Sequence, residues 1–168
     1  MEGAAVTGPA HRGHRADAGS GRGLVILGVA ASDSHAVANQ LIAHGLRAQG
    51  FDVVNLGTCT PVAEFAAACR EHPEAEAVLI GSMNGHAYED LRELPAARAS
   101  GAVHCPVVLG GNLSVGSTKD AAATERLLAL GVDRVVTDPS LLPAVLDELR
   151  AERARAAGRA RGDGLGAA

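Results

Sequence analysis

The chain has 168 residues, of which 47% are hydrophobic but only 2% aromatic, and its formal net charge is −4. This length fits one domain with tails, and an acidic chain without interleaved basic and aromatic residues is not expected to bind nucleic acid. No apolar run approaches the ~18 residues that span a bilayer, so no membrane association is expected either.

Residues 1–22 are predicted to form a flexible leader, because they are rich in Gly, Ala, His and Arg and lack the apolar core of a secretory signal. Residues 151–168 are predicted to form an Arg-, Ala- and Gly-rich tail, whose first part extends the last helix while the rest frays. The ordered domain would then span residues 23–150. Reduced thiols and a cytoplasmic location are expected, because three scattered cysteines show no CxxC spacing: Cys59, Cys69 and Cys105.

Within this domain, short apolar runs alternate with helical patterns. In chain order the predicted elements are strand Leu24–Val29, helix Ala36–Gln49, strand Asp52–Asn55, helix Pro61–Glu71, strand Ala77–Ile80, helix Tyr88–Ser100, strand Val107–Leu109, helix Asp120–Leu130, strand Arg134–Val136 and helix Ser140–Arg150. Pro95 should kink or split the third helix. Strict alternation predicts an α/β fold with a five-stranded, doubly wound parallel sheet, flavodoxin-like, with strand order 2-1-3-4-5.

Ligands of such sheets bind beyond the carboxyl ends of the strands, near the switch between strands one and three. The segments Ala31–His35, Gly81–His86 and Gly110–Gly116 follow strands one, three and four, so their loops should converge on one crevice. Two of these loops are rich in glycine, which lets the backbone approach a bulky ligand closely.

The pair Asp33-x-His35 has a chemical logic in the first of these loops. A histidine that binds a metal through one ring nitrogen usually donates its other N–H to a carboxylate or carbonyl, which fixes the tautomer. Taken alone, such a pair is more often an aspartate that caps a helix and a histidine on the surface.

The run SDSHAVANQL, followed after its helix by GFDVVNLG, resembles the cobalamin-binding small subunit of glutamate mutase (methylaspartate mutase). The stretches GSMNG, VVLGGNLSVG and LGVDRVV occur in the matching order and spacing, so the resemblance covers about Leu24 to Arg150. Asp-x-His followed much later by Gly-Gly is typical of the cobalamin-binding domains of mutases and methyltransferases. The GGN-x-x-VG form and the HAVAN run are similar to the glutamate mutase branch.

The resemblance implies a Rossmann-like domain that binds adenosylcobalamin base-off, with His35 as the axial cobalt ligand and Asp33 as its hydrogen-bond partner. It also implies that small residues flank the corrin, and that loops three and four meet the nucleotide tail. The implied cofactor-binding residues are Ser32, Asp33, Ser34, His35, Ala36, Gly81, Ser82, Met83, Gly110, Gly111, Asn112, Leu113, Ser114, Val115 and Gly116.

The implied activity is that of a carbon-skeleton mutase, an isomerase that interconverts L-glutamate and threo-3-methyl-L-aspartate by radical rearrangement. A separate, large barrel-type subunit would hold the small amino-acid substrate. Since the cofactor carries the radical chemistry, this chain is expected to contain no catalytic residue of its own and to be inactive alone.

Two positions depart from the family pattern. Ala38 stands where the motif Asp-x-His-x-x-Gly has its last glycine, and Gly81 stands where a serine usually contacts the nucleotide base. The hydrogen bond of that serine would then fall to Ser82 or to a water.

Other interpretations remain open. A corrinoid methyl carrier usually brings an N-terminal helical bundle, for which the leader is too short, and a non-catalytic cobalamin sensor is usually fused to a regulatory module. A phosphoacceptor domain would need an acidic residue where Gly81 stands, and the scarcity of aromatics disfavours flavin. His86 could face the corrin, the partner chain or solvent, whereas His104 and Cys105 should lie at the opposite edge as ordinary packing residues.

Overall fold

The computed structural model describes residues 21–111 and 121–163 and contains one parallel sheet of five strands. The strand order is β2-β1-β3-β4-β5, as predicted for a doubly wound sheet. The strands are β1 (Leu24–Val29), β2 (Asp52–Asn55), β3 (Ala77–Gly81), β4 (Val107–Gly110) and β5 (Arg134–Val136).

Helices connect the strands and cover both faces of the sheet. They are α1 (Ala36–Ala48), α2 (Val62–Glu71), α3 (Ala87–Asp90), α4 (Leu94–Ala99), α5 (Ala121–Ala129) and α6 (Leu142–Asp163), with a 3₁₀ turn at Pro139–Leu141 before α6. No helix within the described ranges combines the length and apolar character that crossing a membrane requires.

Two helices differ from their predicted bounds by more than one residue. The predicted third helix is split into α3 and α4, and Pro95 lies in the first turn of α4, where a missing N–H breaks no helical hydrogen bond. The last helix continues past Arg150 to Asp163, because its Ala- and Arg-rich sequence has a high helix propensity.

Alternate residues of each strand point to opposite faces of the sheet, and the two faces are packed by different helices. One face carries Ile26, Val78 and Leu109, which are buried under α2, α3, α4 and α5 together with Phe65. A Cβ atom on Gly28 would come within 2.8 Å of the Phe65 ring, so this glycine makes room for the ring. We call this side the packed face.

The opposite face carries Val25, Leu27, Leu79 and Val108, which pack against α1 and α6. The helices contribute Ala43 and Leu46 from α1 and Leu142, Leu146 and Leu149 from α6. At the carboxyl ends of the strands these helices leave an opening, lined by Ala38 and Ile42 of α1 and by Leu142 of α6. We call this side the crevice face.

Ion pairs connect segments at the amino edge of the sheet. Glu76 accepts hydrogen bonds from Arg150 Nε at 2.8 Å, and its main-chain carbonyl accepts one from Arg153 Nη1 at 3.1 Å. Arg98 pairs with Asp133 at 3.1 Å, on the far side of the sheet. These bonds fasten the long helix α6 and the start of β5 to the edge that lies away from the predicted site.

Arg22, close to the start of the described residues, also contacts helix α6. Arg22 pairs with Asp147 of α6 and lies over the Phe51 ring, with its Cζ atom 4.9 Å from the ring centre. Arg22 was predicted to end the leader, and the rest of that prediction, residues 1–20, lies outside the described residues.

Candidate functional site

His35 and Asp33 meet at the carboxyl edge of the sheet, as their spacing predicts. His35 is the N-cap residue of α1, and its Nδ1 atom lies 2.6 Å from Asp33 Oδ1. The Asp33 side chain has no exposed surface, whereas 60% of the His35 side chain is exposed. A buried carboxylate therefore holds one nitrogen of a histidine whose other nitrogen faces outward.

The Asp33 carboxylate accepts three hydrogen bonds. Oδ1 accepts from the His35 main-chain N–H at 2.9 Å and from the ring, and Oδ2 accepts from the Met83 N–H at 2.5 Å. Burial by itself would raise the pKa of Asp33, but the bond from Met83 and the two from His35 outweigh it and hold the pKa below its ordinary value. Asp33 is therefore ionised at neutral pH.

An ionised Asp33 requires a hydrogen on His35 Nδ1, so in the neutral ring the lone pair lies on Nε2. This is the arrangement of a metal-ligating histidine supported by a carboxylate. No cluster of three or more His, Cys, Asp or Glu side chains that could hold an ion occurs in residues 21–111 and 121–163. A single protein ligand suits a metal whose other positions are filled by a macrocycle.

A crevice that opens to solvent runs from His35 into the crevice face, and its space including the solvent-filled opening is about 630 Å³. One wall is α1, which contributes residues of one helical face: Ala38, Asn39 and Ile42 follow His35 at the spacing i, i+3, i+4 and i+7. The opposite wall is the carboxyl half of the central strands, and Pro139 and Leu142 close the side. Most of these side chains are apolar, so the crevice suits a flat organic group of low polarity.

Gly110 and Gly111 let the backbone of β4 approach its neighbours where the crevice opens. A Cβ atom on Gly111, whose φ is +120°, would lie 2.1 Å from the Ser82 carbonyl oxygen. A Cβ on Gly110 would lie 3.1 Å from the Val136 carbonyl oxygen. Side chains at these two positions would push the ends of β3, β4 and β5 apart, so the Gly-Gly pair has a structural reason of its own.

The loop after β3 supplies the other predicted residues of this edge. The Met83 side chain is 43% exposed, while its N–H supports Asp33. Ser82 is fully buried, and its Oγ lies 3.5 Å from Asn84 Oδ1. A Cβ on Gly81 would have only ordinary contacts, the nearest at 3.7 Å, so a serine at this position fits the crevice.

Sequence reasoning missed a cross-link between the first and third loops. Asn84 Nδ2 donates to the Ser32 carbonyl at 2.9 Å and lies 2.8 Å from Ser32 Oγ, and Ser32 Oγ in turn donates to Asp90 Oδ2 at 2.7 Å. The Asn84 oxygen accepts the N–H of His86 at 3.0 Å. The loop that carries His35 is thus tied to the loop that follows β3, although the sequence gives no signal for a contact across this separation.

The remaining predicted residues are placed as follows. Ser34 and Ala36 are exposed on either side of His35, and His86 is exposed at the start of α3. His104 lies at the amino edge with Nε2 3.1 Å from the Pro73 carbonyl oxygen, and Cys105 is buried there, as expected of packing residues. Five predicted contacts lie outside the described residues: Asn112, Leu113, Ser114, Val115 and Gly116.

Comparisons with known proteins agree with this geometry. The model of the B12 binding domain family matches residues 23–146. The chain is 41% identical to the glutamate mutase sigma subunit of Halobacterium salinarum over 128 residues, which cover 76% of this chain and 85% of the relative. It is 36% identical to glutamate mutase sigma subunit 2 of Haloarcula marismortui, over 76% of this chain and 86% of the relative.

Among solved structures, the chain is similar to a cobalamin-binding protein from Desulfitobacterium hafniense, with a TM-score of 0.58 and 22% identity over 79% of this chain and 58% of that one. This likeness shows a shared fold. The family match extends over the strands and loops that build the crevice. The chain therefore belongs to the B12-binding domain family and, within it, to the glutamate mutase sigma subunits.

Proposed function

We propose that this chain binds cobalamin at the mouth of the crevice, with His35 Nε2 as the axial cobalt ligand. The observation that carries the proposal is the pairing of His35 Nδ1 with the buried, ionised Asp33, which leaves Nε2 of this exposed side chain as the ring nitrogen that can bind cobalt. The residues fit the group: one histidine serves a metal that already has equatorial ligands, and a largely apolar crevice lies beside it.

Each part of the site has a separate task in this proposal. Asp33 keeps the imidazole in the tautomer that can bind cobalt. The exposed, small residues Ser32, Ser34 and Ala36 leave room for the corrin around His35. The crevice would hold the dimethylbenzimidazole nucleotide against its largely apolar walls while His35 would serve as the cobalt ligand.

We further propose that the chain is the cofactor-carrying subunit of a glutamate mutase, inactive without a separate barrel-type subunit that holds the amino acid. Adenosylcobalamin, when bound, supplies a weak cobalt–carbon bond whose homolysis starts the interconversion of L-glutamate and threo-3-methyl-L-aspartate. The names of the relatives support this reaction. The part played by this chain is to bind and orient the cofactor.

The ligand assignment is tested by electron paramagnetic resonance of cob(II)alamin bound to protein that carries ¹⁵N-histidine. Ligation by His35 splits each cobalt line into a doublet, because ¹⁵N has a nuclear spin of one half, whereas unlabelled protein gives triplets. Retention of triplets in the labelled protein would mean that the nucleotide base remains on cobalt, and the proposal would be wrong.

Two variants complete this test. His35→Ala should remove the doublets and release hydroxocobalamin on desalting. The matched control is His44→Ala, which changes an exposed histidine on the same helix away from the crevice lining, and it should behave like the wild type. Equal retention by both variants would remove His35 from the site.

The reaction is tested by mixing the chain, loaded with adenosylcobalamin, with the large subunit of a glutamate mutase. Formation of 3-methylaspartate from L-glutamate only in the mixture supports the mutase proposal. Methylation of the bound cofactor and its transfer to an acceptor, without isomerisation, would instead identify a methyl carrier.

A further inference from the structure

Asn39 is a buried polar residue in a crevice lined mainly by apolar side chains. It lies on α1 one turn beyond His35, between Ala38 and Ile42 in the crevice wall, and only 4% of it is exposed. Because α1 runs from the carboxyl edge toward the amino edge, one turn of helix places Asn39 about 5 Å farther into the crevice than His35.

The hydrogen bonds of Asn55 determine which terminal atom of the Asn39 amide is the oxygen and which is the nitrogen. Asn55 Oδ1 accepts the Gly57 main-chain N–H at 2.9 Å, so this atom is an acceptor. The Asn39 atom that lies 2.8 Å from it must be the NH₂ group, because two oxygens would repel each other. The orientation of the amide therefore follows from its neighbours.

The second end of the amide, Asn39 Oδ1, is fully buried and has no hydrogen-bond partner. A buried carbonyl without a partner is costly, and native proteins seldom retain one without a reason. The atom belongs to a residue of the crevice wall but has no accessible surface in the ligand-free chain, so a small shift of α1 or of the amide would let a ligand in the crevice supply the missing donor.

We infer that Asn39 Oδ1 accepts a hydrogen bond from a ribose hydroxyl of the cobalamin nucleotide, an inference that rests on the proposed function. The corrin and its amide groups stay at the mouth, where His35 is exposed. The part of the cofactor that reaches one turn deeper is the nucleotide, and its ribose carries hydroxyl donors. Asn39 is then a binding residue that contacts the nucleotide of cobalamin and neither the cobalt nor the corrin.

The experiment compares two corrinoids on the wild type, Asn39→Leu and Asn39→Ala. Hydroxocobalamin contains the nucleotide, whereas aquacobinamide keeps the corrin and its amides but lacks the base and ribose. Titrations followed by visible absorption give Kd for each pair, and thermal unfolding of each ligand-free variant reports its stability. The leucine fills the space of the asparagine, and the alanine provides a second variant in case the leucine distorts the helix.

For both variants, Kd for hydroxocobalamin should rise about tenfold while Kd for aquacobinamide stays at the wild-type value. An equal rise for both corrinoids would assign Asn39 a structural or corrin-contacting role and overturn the inference, as would no change for either. If the wild type bound neither corrinoid, the proposed function itself would fall, and the inference with it.

Discussion

The two faces of the sheet are built from the same strands but are packed to different degrees. On the packed face, four helices and Phe65 fill the space above Ile26, Val78 and Leu109. On the crevice face, α1 and α6 bury the amino half of the strands and leave a crevice of about 630 Å³ over the carboxyl half.

The crevice face is expected to contribute less to the stability of the fold than the packed face. Side chains that line an open crevice lack the dispersion contacts that a filled core would supply. At the mouth, the backbone of Gly110 and Gly111 makes close contacts with neighbouring strands in place of side chains.

Gly111→Ala should destabilise the free protein most, by about 3 kcal/mol, because the residue has an unfavourable φ and its Cβ would collide with the Ser82 carbonyl. Urea unfolding measures the loss. The control is Gly101→Ala, which also has a positive φ, +73°, but no atom within 4 Å of its Cβ, and it should cost about 1 kcal/mol. Equal costs would mean that backbone conformation, not the close approach, requires glycine at the mouth.

Val78→Ala and Val108→Ala compare the two faces directly, since the two valines are buried in adjacent central strands but point to opposite sides. The first should cost about 2 kcal/mol, because it creates a closed cavity. The second should cost about 1 kcal/mol, because the lost methyl groups only widen an existing crevice. Identical losses in denaturant unfolding would contradict the distinction between the faces.

Asn84→Ala should cost about 1 kcal/mol, because it breaks the cross-link between the loop of His35 and the loop after β3. Since the change loosens the loop that positions His35, the affinity for hydroxocobalamin should also fall. Gln40→Ala, which removes an exposed amide from α1, should change neither property. Unchanged cobalamin affinity in Asn84→Ala would restrict the cross-link to a structural role.

Gly81→Ser should change stability by less than about 0.5 kcal/mol, because its Cβ meets only ordinary contacts. It should strengthen cobalamin binding about fivefold, since it restores a hydroxyl in the crevice. Gly28→Ser makes the same substitution toward the packed face, where the Phe65 ring lies 2.8 Å from the new Cβ, and it should destabilise clearly. A weaker affinity in Gly81→Ser would indicate that the hydroxyl crowds the crevice.

The strands and their order could be predicted because apolar runs alternate regularly with helical patterns, and the prediction is confirmed by the observed topology. The Asp33–His35 pair could be predicted because both residues lie in one short loop. Asn39 and Asn84 were not predicted, because their importance depends on distances between segments that are separated along the chain. An amide acquires a distinct role only through its partners, here Asn55 for one and Ser32 for the other.

The bounds of the helices were less predictable than their existence. Pro95 predicted a break in the third helix but not its position. In the structure the break precedes the proline, which lies in the first turn of α4. The extension of α6 past Arg150 was predicted but its end at Asp163 was not, because helix propensity continues where the apolar pattern of the domain has ended.

Helix α6 has 22 residues, which corresponds to a length of about 33 Å. Its first turn contributes Leu142 to the wall of the crevice, and two turns later Arg150 is fastened to Glu76 at the amino edge. A ligand in the crevice therefore contacts one end of helix α6, whose later turns are held by Glu76 at the amino edge of the sheet. By thermodynamic linkage, a ligand that binds more tightly to one position of helix α6 must also change the free energy needed to break the Arg150–Glu76 ion pair. Amide hydrogen exchange near Glu76 should then report on an occupied crevice at the opposite end of the domain.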